Sequence, residues 1–179
     1  MDRRIKKTRD AIFTAFEELL AEKRYEQITV SDIIDRANIG RSTFYAHFET
    51  KDALLEELCH EVFGHVFGES LESEATHDFS HDDRFEAHVT HVLYHLGEDM
   101  DLLRGLVAQG EGSVFVSIFK SHLSQLFAGV ADVAGVPKDY ALNHLVCDFV
   151  EAVRWWTANP SYSPEDVSSF FLATSLPAR

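Results

Sequence analysis

The side chains with the most specific spacing in this sequence lie between Thr29 and Leu54, in the run TVSDIIDRANIGRSTFYAHFETKDAL. Arg41 carries a guanidinium that can donate two hydrogen bonds to a guanine edge or bind a phosphate. Ser42 and Thr43 are short enough to let a backbone approach closely, and the Thr43 methyl can touch a thymine methyl. Tyr45, His47 and Lys51 each bring a donor suited to phosphate oxygens, and Thr29 brings another from further upstream. This is recognition chemistry, in which no bond is made or broken. The sequence has no GxSxG, P-loop or GxGxxG and no locally supported Cys/His arrangement. No catalytic residue and no cofactor is therefore assigned, and an enzymatic site would have to be assembled from distant residues.

Donors of this kind are useful only if helices hold them in register. Thr29 suits a helix N-cap, with Asp32 three residues on as an acidic form of the capping box. The spacing predicts a helix over Val30–Ala37 with Ile33, Ile34 and Ala37 inward. A turn at Asn38-Ile39-Gly40 follows, where Asn and Gly tolerate left-handed backbone and Ile39 buries itself. A second short helix, Arg41–Phe48, uses Phe44 and Phe48 as core plugs. An upstream helix from Lys6 to Lys23 supplies Ile12, Phe13, Phe16, Leu19 and Leu20. Two short helices joined by a three-residue turn make a helix-turn-helix, whose second helix carries base readers at its N-terminal end. Ahead of it stand Arg3, Arg4, Lys6 and Lys7. Alone they read equally as a solvated terminus or as a basic arm for phosphates or a minor groove; beside the helix-turn-helix, the arm is favoured.

The run RSTFYAHFETKDALL closely resembles the recognition helix and following segment of TetR-family transcriptional regulators. The matching residues are Thr43, Phe44, Tyr45, His47, Phe48, Thr50, Lys51, Asp52 and Leu54, and the resemblance covers about residues 8–58. Gly40 and Ser42 are its small departures from the pattern. The resemblance implies an all-α fold: an N-terminal three-helix helix-turn-helix domain at residues 1–50, and a C-terminal helical ligand-binding and dimerisation domain at residues 51–179. About nine helices are expected, the fourth linking the two parts. It further implies a homodimer that reads a pseudo-palindromic operator in double-stranded DNA, a repressor responsive to a small-molecule effector. The alternative is a co-regulator of the same fold that acts through a protein partner, with little or no DNA binding of its own.

Composition first looks adverse to DNA binding, because 30 Asp+Glu against 16 Lys+Arg give a net charge of −14. Residues 1–51, however, hold 10 of the basic residues and 9 acidic ones, while residues 52–179 hold 6 and 21. An acidic body leaves contact with DNA to the first segment. No run approaches the ~20 apolar residues of a membrane helix, so no membrane partner is expected. MDRRIKKTRD has basic residues without an apolar stretch behind them, which does not fit a secretory leader. Two distant cysteines, Cys59 and Cys147, fit free thiols in a reducing cytoplasm.

The rest of the chain reads as helices over 51–72, 84–96, 100–108, 113–134, 138–158 and 164–176, with a polar loop at 74–83. The last two carry apolar residues on more than one side. Cys147, Glu151, Arg154 and Trp155 on one, with Val167, Phe170 and Phe171 on the other, point to a two-fold four-helix bundle with a second copy. His65 and His122 each fall on an apolar face. They read either as buried imidazoles with polar partners or as part of an effector cavity walled by Met100, Phe115, Phe119 and Phe149. His88, His91 and His95 recur at helical spacing, but nothing else supports a metal, and none is assigned.

Overall fold

In a computed structural model, the structure describes residues 3–67, 84–98, 100–107 and 113–176. The described residues form α1 (Arg3–Glu22), α2 (Val30–Ala37), α3 (Arg41–Tyr45), α4 (Lys51–Val66), α5 (Phe85–Gly97), α6 (Met100–Val107), α7 (Val114–Phe127), α8 (Lys138–Ala158) and α9 (Pro164–Ser175). The fold is all-α, as expected.

α1 begins at Arg3, so the basic residues expected as a separate arm form its first turns instead. Arg and Lys are good helix formers, and no Gly or Pro stops the helix short of them. Thr29 and Asp32 form the expected reciprocal capping box at the start of α2. Asn38 ends that helix in the left-handed region, at φ 52°. α3 is shorter than the apolar spacing predicts. After Tyr45 the chain tightens, with His47 N–H donating to the Phe44 carbonyl at 2.9 Å, and this carries Phe48 into the core. α7 stops at Phe127 rather than 134. Gly129 weakens the next turn, and the chain folds back so that Ala131 is buried. α8 runs over the predicted span, and Ser163 with Pro164 opens α9 through a second capping box. The predicted continuation of α4 to Glu72, the loop at 74–83 and the break at 110–112 lie outside the described residues.

α1 packs on α2 and on α6; α4 lies on α7, α5 on α9, and α8 against α6, α7 and α9. Buried apolar residues from Ile12 to Phe171 make one continuous cluster. The reading end is therefore not an appendage, because α1 belongs both to the helix-turn-helix and to the body. At that seam Gly105 of α6 lies against the backbone of α1. A Cβ on Gly105 would fall 2.2 Å from the Leu20 carbonyl oxygen.

Candidate nucleic-acid interface

The capping box fixes where α2 starts, the Asn38 turn fixes its angle to α3, and Phe44, fully buried, pins α3 from below. What remains outward is the N-terminal end of α3. Arg41 and Ser42 are exposed and Thr43 is half-buried. The Arg41 guanidinium lies 3.5 Å from Ser31 Oγ, beside the first turn of α2. Tyr45 is 49% exposed, with its ring edge-on to Phe44 at 5.5 Å. Its hydroxyl is thus held at the surface by a buried partner. His47 is half-buried, its ring 6.2 Å from that of Phe48.

Two expected phosphate anchors have additional work. The Thr29 hydroxyl donates to Asp32 Oδ2 at 2.8 Å and accepts from the Asp32 N–H at 3.1 Å, so its proton is taken up in the cap. The Thr29 backbone N–H also donates to Asp32 Oδ2 at 2.7 Å, and this bond first, then the hydroxyl's, with Lys23 alongside, hold the Asp32 carboxyl down at about 2. Lys51 Nζ donates to the carbonyls of Tyr25 (2.7 Å) and Ile28 (2.8 Å) and sits 3.9 Å from the centre of the Tyr25 ring. An ammonium has three donors, which leaves one for a phosphate. Burial lowers the Lys51 pKa, against the pull of Asp52 and Glu26. The Tyr25 hydroxyl in turn donates to Asp52. Lys51 and Asp52 thus tie the start of α4 to the linker that enters α2. Sequence spacing did not reveal this strut, since its partners lie 23 to 27 residues away.

Arg3, Lys6 and Lys7 are exposed on the first turns of α1; the Arg4 side chain lies outside the described residues. Arg9 pairs with Glu57 and lies over the Phe13 ring at 5.0 Å, and Arg36 is held by Glu18 and Glu22 at 3.0 and 2.7 Å. Those two cations brace helices together.

In the body, Phe119 and Phe149 are buried and fill space rather than wall it. Phe119 stacks on Phe63 at 5.4 Å and meets Phe149 at 6.1 Å. His122 stacks on the Phe67 ring at 5.2 Å and tilts against that of Phe63 at 5.3 Å. Burial, and then the charge of His60, lower its pKa. Met100 is half-buried against the core, and the His65 side chain lies outside the described residues. A cleft of about 220 Å³ does exist, but between α1, α4, α5, α6 and α7; of the expected walls only Phe115 borders it. His91 and His95 are buried, with rings 4.5 Å apart. His88 instead pairs its Nδ1 with the Arg84 carbonyl at 3.1 Å. No group of three or more His, Cys, Asp or Glu able to hold a metal occurs among the described residues.

On α8 and α9, Val167 and Phe171 are 1% and 2% exposed within the single chain. They belong to the protomer's own core, where Phe171 stacks on Phe127 and meets Phe149, and they offer a partner nothing. Trp155, Phe170 and Tyr162 are instead 42%, 43% and 41% exposed and pack on one another at 5.2 to 6.2 Å. Tyr162 was missed because it sits in the connection between the helices. Glu151 and Arg154 pair at 2.6 Å beside this cluster, and Arg154 also donates to the Val107 carbonyl. Cys147 is half-buried next to the Lys120 ammonium at 3.5 Å. No described helix is long and apolar enough to cross a membrane.

A family model for bacterial regulatory proteins of the tetR family matches residues 12–58. The crystal structure of a TetR transcriptional regulator from Streptococcus agalactiae is 32% identical and superposes with a TM-score of 0.80, covering 98% of this chain and 97% of that one. An uncharacterised HTH-type transcriptional regulator from Bacillus subtilis, YxbF, is 44% identical over 71 residues, which are 37% of this chain and 19% of that protein's length. The HTH-type transcriptional repressor KstR2 of Rhodococcus jostii is 25% identical over 177 residues, 88% of this chain and 84% of that protein.

Proposed function

Because the chain belongs to the TetR family of transcriptional regulators, with its DNA-binding helix-turn-helix, we propose that it is a homodimeric, effector-responsive repressor. In this reading residues 1–50 are the reading head and residues 51–179 the ligand-binding and dimerisation body. Each protomer lays α3 in a major groove, with Arg41, Ser42 and Thr43 against base edges. Tyr45, His47 and the remaining Lys51 donor face phosphates, together with Arg3, Arg4, Lys6 and Lys7 on the first turns of α1. Thr29 takes part by holding α2 in place. The observation that carries the reading is the exposed row Arg41-Ser42-Tyr45 at the start of α3, braced from below by buried Phe44.

Dimerisation is supported by the aromatic trio Trp155, Tyr162 and Phe170, whose exposed rings cluster on α8, α9 and the connection between them. A second copy related by a two-fold axis would cover them and set two reading helices about 34 Å apart, or a multiple of it. Repression is supported by the likeness to KstR2, named as a repressor, over 88% of this chain and 84% of that protein. The cleft against α6 supports a small-molecule effector.

The direct test is binding of the purified chain to DNA from upstream of its own gene, followed by fluorescence anisotropy against a scrambled competitor. Saturable binding with two protomers per site is expected, at least a thousandfold tighter than to the scrambled duplex. Equal affinity for both duplexes would defeat the assignment.

A further inference from the structure

The cleft between α1, α4, α5, α6 and α7 is walled mainly by hydrocarbon. Leu58 on α4, Leu96 on α5, and Leu103 and Leu106 on α6 line it, together with Phe63 and Phe115, whose rings lie 5.5 Å apart. Cys59 adds a buried thiol. Burial pushes it up to about 12, so it stays neutral and behaves as a small apolar group. The polar residues of the described lining are Glu17, His95 and Glu98. The His95 ring pairs through Nδ1 with Glu98 Oε1 at 3.2 Å, and Glu17 makes an interaction of its own. Among the described lining residues there is no Lys or Arg. An anion would therefore leave water for a wall without counter-charge, in a body already rich in carboxylates. A cation would have to draw Glu98 away from the buried imidazole it holds. A neutral apolar molecule disturbs neither arrangement and removes its own surface from water.

From these walls we infer that the cleft binds a small neutral arene, one aromatic ring with a short hydrocarbon arm. Phe63 and Phe115 give such a ring aromatic neighbours to meet edge-on or offset, and the leucines take up the arm. Size agrees: a dry cavity of about 150 Å³ holds benzene, so about 220 Å³ accommodates a ring with a short arm. Position gives the binding a consequence. Leu106 stands next to Gly105 on α6, and that glycine abuts the Leu20 carbonyl of α1. Leu58 and Phe63 belong to α4, which continues the chain from the reading head into the body. A ligand here touches helices on both sides of the seam. It shifts the head by whatever difference in affinity it has for the two placements of α1. The inference rests on the effector-responsive reading above and names the ligand class for it.

The test uses the full chain without DNA and three ligands that share a ring and a short arm but differ in charge: ethylbenzene, 2-phenylethylamine and 3-phenylpropanoate. Titration calorimetry at pH 7.5 should show one ethylbenzene per protomer with a Kd below about 1 mM. The amine, which is positive at this pH, and the carboxylate should each bind at least about tenfold more weakly. Leu102 is a half-buried lining residue on α6. Leu102→Trp places a second ring in the space and should abolish ethylbenzene binding. Equal binding of all three, preference for either charged ligand, or no binding of ethylbenzene up to its solubility limit would overturn the inference. So would a folded Leu102→Trp variant that binds ethylbenzene as wild type does. The charge series is read on wild type, so a variant that fails to fold does not obscure it. Operator affinity is then measured with and without ethylbenzene. Binding that leaves it unchanged supports the ligand class and defeats the effector reading, so the two failures are distinguishable.

Discussion

Arg41 is the exposed side chain with the strongest means of telling one base from another, since a bidentate guanidinium pair with guanine discriminates by about 1–3 kcal/mol. Arg41→Ala should weaken operator binding by about that amount and flatten base preference at one position, as seen in a competition series of single-base operator variants. Tyr45→Phe should behave differently. Losing one neutral donor to a charged phosphate costs about 1.5–3 kcal/mol on every sequence, with an unchanged slope against salt, because no cation is removed. If Tyr45→Phe changes the preferred sequence, its hydroxyl reads bases and the division of roles proposed for α3 is wrong. His122 makes a prediction about pH. Its pKa is lowered by burial from the ordinary 6.5, so the unfolded chain takes up the proton first as pH falls. The native state is unpenalised above the ordinary value and loses stability as pH drops from there toward the folded-state value. Relative to His122→Leu, wild type should therefore lose ground in denaturant titrations between pH 8 and pH 5.5; a constant gap would contradict it. The cap at Thr29 was legible because it depends on residues no more than a few positions away. The roles of His91 and His95 were not, because which face of α5 is covered depends on helices far along the chain.

At the scale of elements, α1 and α6 meet backbone to side at Gly105. Replacing Gly105 by Ala would ordinarily favour a helix by about 1 kcal/mol. Here the new Cβ meets a backbone oxygen at 2.2 Å, which no rotamer change relieves. Overpacking of this kind costs about 1–3 kcal/mol, so Gly105→Ala should lower Tm by roughly 2–10 °C in a calorimetric scan. An unchanged Tm would mean that α6 yields freely. The Lys51 strut predicts a second effect. Lys51→Met keeps the stem over Tyr25 but leaves two carbonyls without their charged donor. A loss of about 1–2 kcal/mol is expected, discounted for solvent access to the site. Helix positions were mostly readable from apolar spacing, and α8 with its Pro137 and Asn159 flanks is an example. α7 was not read to its true end, because Val130 and Ala131 keep the helical spacing while packing onto the core from a turn.

For the whole molecule, the division of labour follows charge: basic residues gather in the head, acidic residues in the body. In the proposed dimer, two heads on one operator bind far more tightly than one. Trp155→Ala with Phe170→Ala removes exposed surface, so the fold should survive while sedimentation shifts from dimer to monomer. Operator affinity should fall at least a hundredfold with it. A dimer that persists in this variant would place the interface elsewhere. The all-α layout was legible from the sequence, but the ownership of Val167 and Phe171 was not. An apolar residue on α9 looks the same whether its own chain or a second one covers it.

The contact of Gly105 with the Leu20 carbonyl also bears on modularity. A cut at residue 50 is the obvious place to exchange heads between relatives, yet such a graft carries a foreign α1 onto a native α6. The exchange succeeds only where the incoming helix presents its backbone to position 105 at the same distance. The unit that can be transplanted is thus the head together with α6, two pieces separated in the chain and inherited as one.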